Sequence, residues 1–230
     1  MKSLAHCALA LGSVFALVST SSFAQQKNMM LEEVIVTAQK KAESLQDTPI
    51  AMDAFNEEAL AREGIGSIGD LANNVPSLNI QPFPINTTTL RIYIRGIGLV
   101  DAQITQDPPV GVYIDGAYIA RSSSLATEIA DLSRIEVLRG PQGTLYGRNS
   151  TGGAVNLVTR RPDPDALLLK QSLTYGDRNL FTSKSMLNLP LWQGSALKLS
   201  YLEKSVDGYI ENTGLGGDFG DSATTGYRVD

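Results

Sequence analysis

The residues with the most pronounced chemical character in this chain are charges set among apolar neighbours. Arg95 closes the alternating run Leu90-Arg91-Ile92-Tyr93-Ile94, and Glu136 and Arg139 sit in Arg134-Ile135-Glu136-Val137-Leu138-Arg139. Burying such charges is costly unless they are paired. The three are therefore expected to form a polar seam between a small domain and whatever encloses it, the plainer alternative being three exposed strand residues. Gly140-Pro141-Gln142-Gly143-Thr144-Leu145-Tyr146-Gly147 superficially invites a phosphate-loop reading. It lacks the Gly-Lys-Ser/Thr ending, so no lysine would reach a terminal phosphate and no adjacent hydroxyl would hold magnesium.

The only histidine, His6, and the only cysteine, Cys7, both precede an early apolar run, Ala8 to Val18. Lys2 ahead of that run and Ser22-Phe23-Ala24 after it make residues 1–24 an expected secretory signal peptide, since the run is far shorter than the roughly 20 residues of a membrane-spanning helix. The exported chain would then have no thiol nucleophile, disulfide, or histidine for a metal or a catalytic triad. The acids Asp101, Asp107, Asp115, Asp218 and Asp221 lack EF-hand spacing. No catalytic residue, metal site or cofactor is expected, and the chain is not read as an enzyme. After the leader, 18 basic residues face 24 acidic ones, a formal charge of −6, and no nucleic-acid partner is expected.

One short run invites a different kind of chemistry, backbone pairing. Glu33-Val34-Ile35-Val36-Thr37-Ala38 is β-branched and isolated between acidic and polar residues, too short to stand as a strand alone. It is expected either to join an edge of its own domain or to be captured by another protein through strand addition.

Elements that would position these residues can be read from pattern. Phe55 to Glu63 reads as a helix with Asn56 as N-cap and Gly64 as stop, and a second starts at Ser67 with Asp70 as a partial capping box. Leu78–Ile80 and Leu90–Arg95 are expected strands, and Val110 to Gly116 is a strand whose Asp115-Gly116 turn leads to the hairpin partner Ala117–Ile119. Ser122 to Ile129 is expected to hold one or two helical turns. The stretch Leu132–Pro162 places two strands around a centre carrying Gly140, Gly143, Gly147, Gly152 and Gly153, where the backbone must turn repeatedly or approach a neighbour closely.

Beyond Pro164 the period becomes two. Leu169, Leu173 and Tyr175 face away from Lys170, Ser172 and Thr174; Leu187 and Leu189 away from Lys184 and Asn188; and Leu197, Leu199 and Tyr201 away from Lys198, Ser200 and Lys204. Nine to eleven residues per segment, with tight turns at Gly176–Asn179 and Leu191–Ser195, suit tilted strands crossing a membrane with their apolar side to lipid. A secreted β-rich binding module without a pore is the rival reading. Three and a half strands cannot close a barrel, so the chain is expected to be part of a longer protein.

The run from Arg134 to Gly147, followed by Gly152-Gly153-Ala154-Val155-Asn156-Leu157, resembles the end of the plug domain of TonB-dependent outer-membrane receptors. Glu33–Ala38 resembles that family's TonB box, Ile94-Arg95-Gly96-Ile97-Gly98 its arginine-glycine segment, and Val112-Tyr113-Ile114-Asp115-Gly116 its central plug strand. The resemblance implies an α+β plug domain followed by the first antiparallel strands of a transmembrane β-barrel, 22-stranded in the family. It divides the chain into a signal peptide (1–24), a periplasmic segment with the box (25–44), the plug (45–162) and the start of the barrel (163–230).

The family also implies an outer-membrane location, outer-membrane lipid as surroundings, a monomer, and coupling to TonB with ExbB and ExbD at the inner membrane. The implied substrate is a ferric siderophore or other iron complex, with an oligosaccharide as the non-iron alternative. By residue, Glu33, Val34, Ile35, Val36, Thr37 and Ala38 would carry the coupling, and Arg95, Glu136 and Arg139 the plug-to-barrel contacts. Gly96, Gly98, Gly116, Gly140, Gly143, Gly147, Gly152 and Gly153 would form the plug's backbone turns.

Overall fold

A computed structural model describes residues 33–83, 86–101, 106–125, 130–215 and 218–230, with the side chains of residues 86–88 and 124 left aside. The expected leader and the segment as far as Glu32 lie outside the described residues, as does the end of the helix expected over Ser122–Ile129.

The glycine-centred stretch forms the middle of a sheet. Strand β9 (Leu132–Arg139) and strand β10 (Gly153–Thr159) pair antiparallel, Glu136 opposite Asn156. On the outer side of β9 lies β3 (Met52–Asn56), antiparallel; on the outer side of β10 lies β7 (Val110–Ile114), parallel, with its hairpin partner β8 (Ala117–Tyr118). The order is thus β3-β9-β10-β7-β8.

Alternation assigns the two faces. Ile135, Val137, Val155, Leu157, Val110 and Val112 join one buried cluster with Leu60, Leu71, Leu90, Ile92 and Ile94 from the layer above. That layer contains helix α1 (Glu57–Arg62), a 3₁₀ segment (Ile68–Asn73), and the antiparallel sheet of β4 (Leu78–Phe83), β5 (Asn86–Ile94) and β6 (Ile97–Gly98). The opposite face carries Leu138, Ala154 and Tyr113, covered by a second cluster that includes Val36 and Ala38.

Local signals mostly act as their chemistry requires. Asn56 caps α1 by accepting from the Ala59 N–H at 2.9 Å, but Phe55, expected inside the helix, pairs with Ile135 in the sheet instead. The second expected helix is 3₁₀ rather than α, opened by Asp70, whose carboxylate accepts from the Ser67 N–H at 2.8 Å. Part of the Gly140–Gly147 turn region is the short helix α2 (Gly143–Tyr146). At Gly153 the need for glycine is steric, since a Cβ there would stand 2.3 Å from the Leu138 carbonyl oxygen.

The rest of the chain is an antiparallel meander of β11 (Leu168–Gly176), β12 (Leu180–Pro190), β13 (Ala196–Val206) and β14 (Ser222–Val229). Register sets Leu169, Leu187, Leu199 and Val229 in one outward row, while Met186, Lys198, Ser200 and Leu202 are buried toward the mixed domain. The four strands leave the sheet unclosed, as a segment of a barrel wall does. The turns between β11 and β12 and between β12 and β13 bring non-glycine residues to positive φ, Arg178 and Asn179 in one and Gln193 in the other, as tight reversals between antiparallel strands commonly do.

Neither hydrophobic cluster takes a side chain from β11–β14. Domain and wall meet instead through polar groups. Lys198, fully buried on β13, places Nζ 3.1 Å from Asp131 and 3.0 Å from Asp230, and donates to the Arg160 carbonyl. Arg160 and Lys170 both engage Glu57 at the start of α1, and Arg228 of β14 reaches Asp115 at 2.9 Å. Asn188 holds the crossing to the first wall strand, donating to the carbonyls of Asp163 and Ala166 at 2.8 and 2.6 Å. Beside these contacts the seam leaves a cleft of about 200 Å³ lined by Leu60, Ile65, Asp131, Lys170, Lys184 and Met186 among others.

Two substitutions test this construction. Lys198→Met keeps the side-chain bulk but leaves Asp131 and Asp230 without their buried cation, so the domain's hold on the wall should weaken by about 3–5 kcal/mol. The urea concentration at which protease first enters the mixed domain should fall accordingly, and an unchanged concentration would show that the seam is not held by Lys198. Gly153→Ala should cost about 1–3 kcal/mol through overpacking against Leu138, measured as a lower denaturant midpoint in near-ultraviolet circular dichroism.

Candidate partner-binding segment

The β-branched run expected to need an edge has found one. Strand β1 (Ile35–Val36) pairs antiparallel with β2 (Glu43–Ser44), Ile35 opposite Ser44 and Val36 opposite Glu43. The Leu45 N–H extends the ladder to the Val34 carbonyl at 2.9 Å. So short a hairpin holds only because one side of it is buried. Val36 and Ala38 are fully buried against Met52, Tyr113, Leu138, Tyr146 and Ala154, with Val34, Leu45 and Ile50 packed around them. Complete burial of a valine side chain is worth about 1.5–3 kcal/mol, enough to seat the segment but not to make it inseparable.

The seat's floor is aromatic. Tyr113 and Tyr146 meet edge to face with centroids 4.9 Å apart, and the Tyr113 hydroxyl donates to the Tyr146 carbonyl at 2.7 Å. Lys40, at positive φ just beyond the run, sets Nζ 4.3 Å from the Tyr146 ring centroid, a cation–π contact. Burial raises the Tyr146 phenol well above the ordinary tyrosine range, with the Glu136 charge and Tyr113 adding to it; burial and then Tyr118 raise Tyr113. Lys40 therefore faces neutral rings at physiological pH.

Glu136 is the polar centre of this face and is fully buried. Its Oε1 accepts from the Thr37 backbone N–H at 2.7 Å, the Thr37 hydroxyl at 3.1 Å and the Arg134 Nε at 2.8 Å, while Oε2 accepts from the Asn156 Nδ2 at 3.0 Å. Arg134 closes the ring by donating to the Thr37 hydroxyl oxygen at 2.9 Å. The carboxylate, on a central strand of the sheet, thus binds a run that precedes it in the chain by 99 residues.

The residues expected to face the wall separate into two groups. Glu136 lies beneath the β-branched run. Arg139, partly exposed, forms an ion pair with Asp53 of β3 at 3.3 Å. Arg95 is exposed at positive φ, its N–H donating to the Ser77 carbonyl at 2.9 Å, and its guanidinium lies beside Gly140. Arg95 and Arg139 therefore share one rim of the domain. Polar contacts to β11–β14 are made instead by Glu57, Asp115, Asp131 and Asp163 and by the carbonyls of Arg160 and Ala166.

Among the glycines, Gly96, Gly116, Gly140 and Gly147 adopt positive φ, whereas Gly98 and Gly152 are close-approach positions, against Tyr93 and Ile97. Gly143 opens α2, and Gly153, at the start of β10, is the close approach to Leu138 described above. Arg134, Asn156 and Lys198 were not singled out from sequence. Lys198 reads there as one more polar-face residue, because Asp131, its partner, lies far back in the chain.

Among the described residues no group of three or more His, Cys, Asp or Glu could hold a metal ion, and no helix is long and apolar enough to cross a membrane, which says nothing of a β-barrel. The arrangement can exchange strand pairings and break or remake polar contacts.

Residues 44–154 match the TonB-dependent Receptor Plug Domain family. The chain is similar to the pesticin receptor of Yersinia enterocolitica, 29% identical over 213 residues that cover 91% of this chain and 30% of that protein. It is similar also to the iron-regulated outer membrane virulence protein of Vibrio cholerae, 30% identical over 62% of this chain and 22% of that protein. Among solved structures, the ferric yersiniabactin uptake receptor FyuA of Yersinia pestis matches with a TM-score of 0.65 and 29% identity, over 76% of this chain and 27% of that one. The chain spans less than a third of the length of these relatives. Strands β3, β7, β8 and β9 and the start of β10 lie inside the matched residues, and through this plug region the chain belongs to the TonB-dependent outer-membrane receptor family.

Proposed function

We propose that this chain is the N-terminal part of a receptor that imports a ferric siderophore across the outer membrane by TonB-dependent transport. The observation that carries the reading is the similarity to the pesticin receptor across nearly the whole chain, together with the structural match to FyuA, a ferric yersiniabactin uptake receptor. The division into leader (1–24), box segment (25–44), plug (45–162) and barrel start (163–230) belongs to the proposal, as do closure of the wall into a 22-stranded barrel, a monomeric state and TonB energised through ExbB and ExbD.

The physical chemistry fits the proposed cycle. Glu33–Ala38 is held by one short ladder, a few buried side chains and one carboxylate, all reversible on removal of the segment. The plug meets the wall through ion pairs, and no wall side chain joins either apolar cluster of the plug. Outward Leu169, Leu173, Tyr175, Tyr227 and Val229 are more than half exposed in this open sheet, the surface that lipid would cover. Arg95 and Arg139, on one rim, are assigned to wall strands beyond β14.

Ile35→Pro tests the coupling. Proline cannot donate to an added strand, so cells carrying the full-length receptor should bind radioiron-labelled ferric yersiniabactin at the surface yet lose its energised uptake by on the order of a hundredfold. Uptake at the parental rate would sink the assignment of Glu33–Ala38 as the coupling segment.

A further inference from the structure

The two edges of β1 are not equivalent. In an antiparallel ladder successive residues turn their backbone groups alternately toward and away from the partner strand. The Leu45 N–H bonds the Val34 carbonyl, so Val34 and Val36 turn toward β2 while Ile35 and Thr37 turn to the opposite edge. That second edge is where another strand can add without displacing β2. Its last donor, the Thr37 N–H, is already taken by a fully buried carboxylate, Glu136 Oε1, at 2.7 Å. Charge-assisted hydrogen bonds from a backbone N–H to a carboxylate are roughly twice as strong as the amide–carbonyl bonds an incoming strand offers.

We propose that Glu136 caps the free edge of the seated β1 strand at Thr37 and competes with an incoming partner strand for that backbone donor, so that it sets how readily the segment is captured. This rests on the reading of Glu33–Ala38 as the segment a partner pairs with, and adds the edge used and the residue that opposes capture. The other contacts at the seat act elsewhere. Val36 and Ala38 hold the segment by side-chain burial on the face of the hairpin, and Lys40 by its contact with Tyr146, neither of which occupies the edge. Arg134 and Asn156 bind Glu136 itself, and so fix where its carboxylate points. Capture through this edge requires the carboxylate to exchange the Thr37 N–H for its remaining partners, Arg134 and Asn156, which stay in the plug.

The full-length receptor in detergent, carrying a nitroxide at position 33, is compared with its Glu136→Gln and Glu136→Asp forms. The first keeps the side chain's shape and removes its charge; the second keeps the charge and withdraws it by one methylene. Near-ultraviolet circular dichroism reports that the plug remains folded in each. The purified periplasmic domain of TonB is the probe, and its Kd is measured beside the nitroxide's mobility without probe. Both variants should show a more mobile label and bind the probe more tightly, by on the order of tenfold.

A mobile label with unchanged Kd would overturn the competition, since the segment would be freed without easing capture. An unchanged label with unchanged Kd would overturn the cap itself. A mobile label with no probe bound by either variant or parent would instead overturn the coupling role of Glu33–Ala38, and the competition with it, while leaving the Glu136–Thr37 bond standing. If one variant loses the folded spectrum, the other decides.

Discussion

The structure depends on one buried negative charge. A carboxylate removed from water is tolerated only when its oxygens are filled by good donors, and removal of a partner from such a site typically costs about 3–5 kcal/mol. Glu136 meets that requirement with Arg134 from its own strand, Asn156 from the neighbouring strand and Thr37 from the N-terminal segment. Two of the three are plug residues whose positions the sheet fixes. The third is the only one that can leave without unfolding the sheet. The constraint that makes Glu136 tolerable inside the plug is therefore the same one that brings Thr37 into place, and it leaves the N-terminal segment as the removable part.

Two kinds of cohesion follow, layered differently. Within the plug, both faces of the central sheet are closed by apolar clusters, one permanent under α1 and the β4–β6 sheet, the other completed by Val36 and Ala38. Between plug and wall, Lys198, Lys170 and Arg228 link to Asp131, Glu57 and Asp115. Hydrophobic burial is non-directional and tolerates little opening, whereas ion pairs can be exchanged for water or for other ions one at a time. Along the chain from Glu33, the first elements are the β1–β2 hairpin and then β3, an edge strand paired only with β9. Next comes α1, whose Glu57 is tied to both Arg160 and Lys170. The hold on the chain thus grows stepwise from its N-terminal end inward.

Much of this was legible in the residues, for identifiable reasons. The meander was readable because period-two alternation sustained over nine to eleven residues demands a strand with two unlike faces, and Asn56 announced α1 because a cap is a local interaction. Phe55 went to the sheet because pairing with Ile135 is long-range and overrode a local helical signal. The run Glu33–Ala38 was recognisable as a strand in search of an edge, but the edge, β2, carries no strand pattern of its own: Glu43-Ser44 pairs only because the turn at Thr37–Lys40 brings it round. Glu136 was read as a charge needing partners, but those partners were expected in the barrel wall, whereas it binds Thr37, Arg134 and Asn156. That its partner would be the Thr37 backbone amide was not legible, since backbone donors leave no trace in residue identity. Lys198 was hidden for the related reason that inward lysines look like solvated ones until the facing Asp131 is placed.

The central claim, that Glu33–Ala38 is seated on the plug through the Glu136 carboxylate, is tested most directly by hydrogen exchange at a single amide. Thr37 in the unliganded receptor, without any partner protein, should exchange slowly, with protection between that of the β9–β10 ladder and that of exposed Glu33. Exchange of the Thr37 amide at the rate of an unstructured peptide, with β9 and β10 still protected, would contradict it.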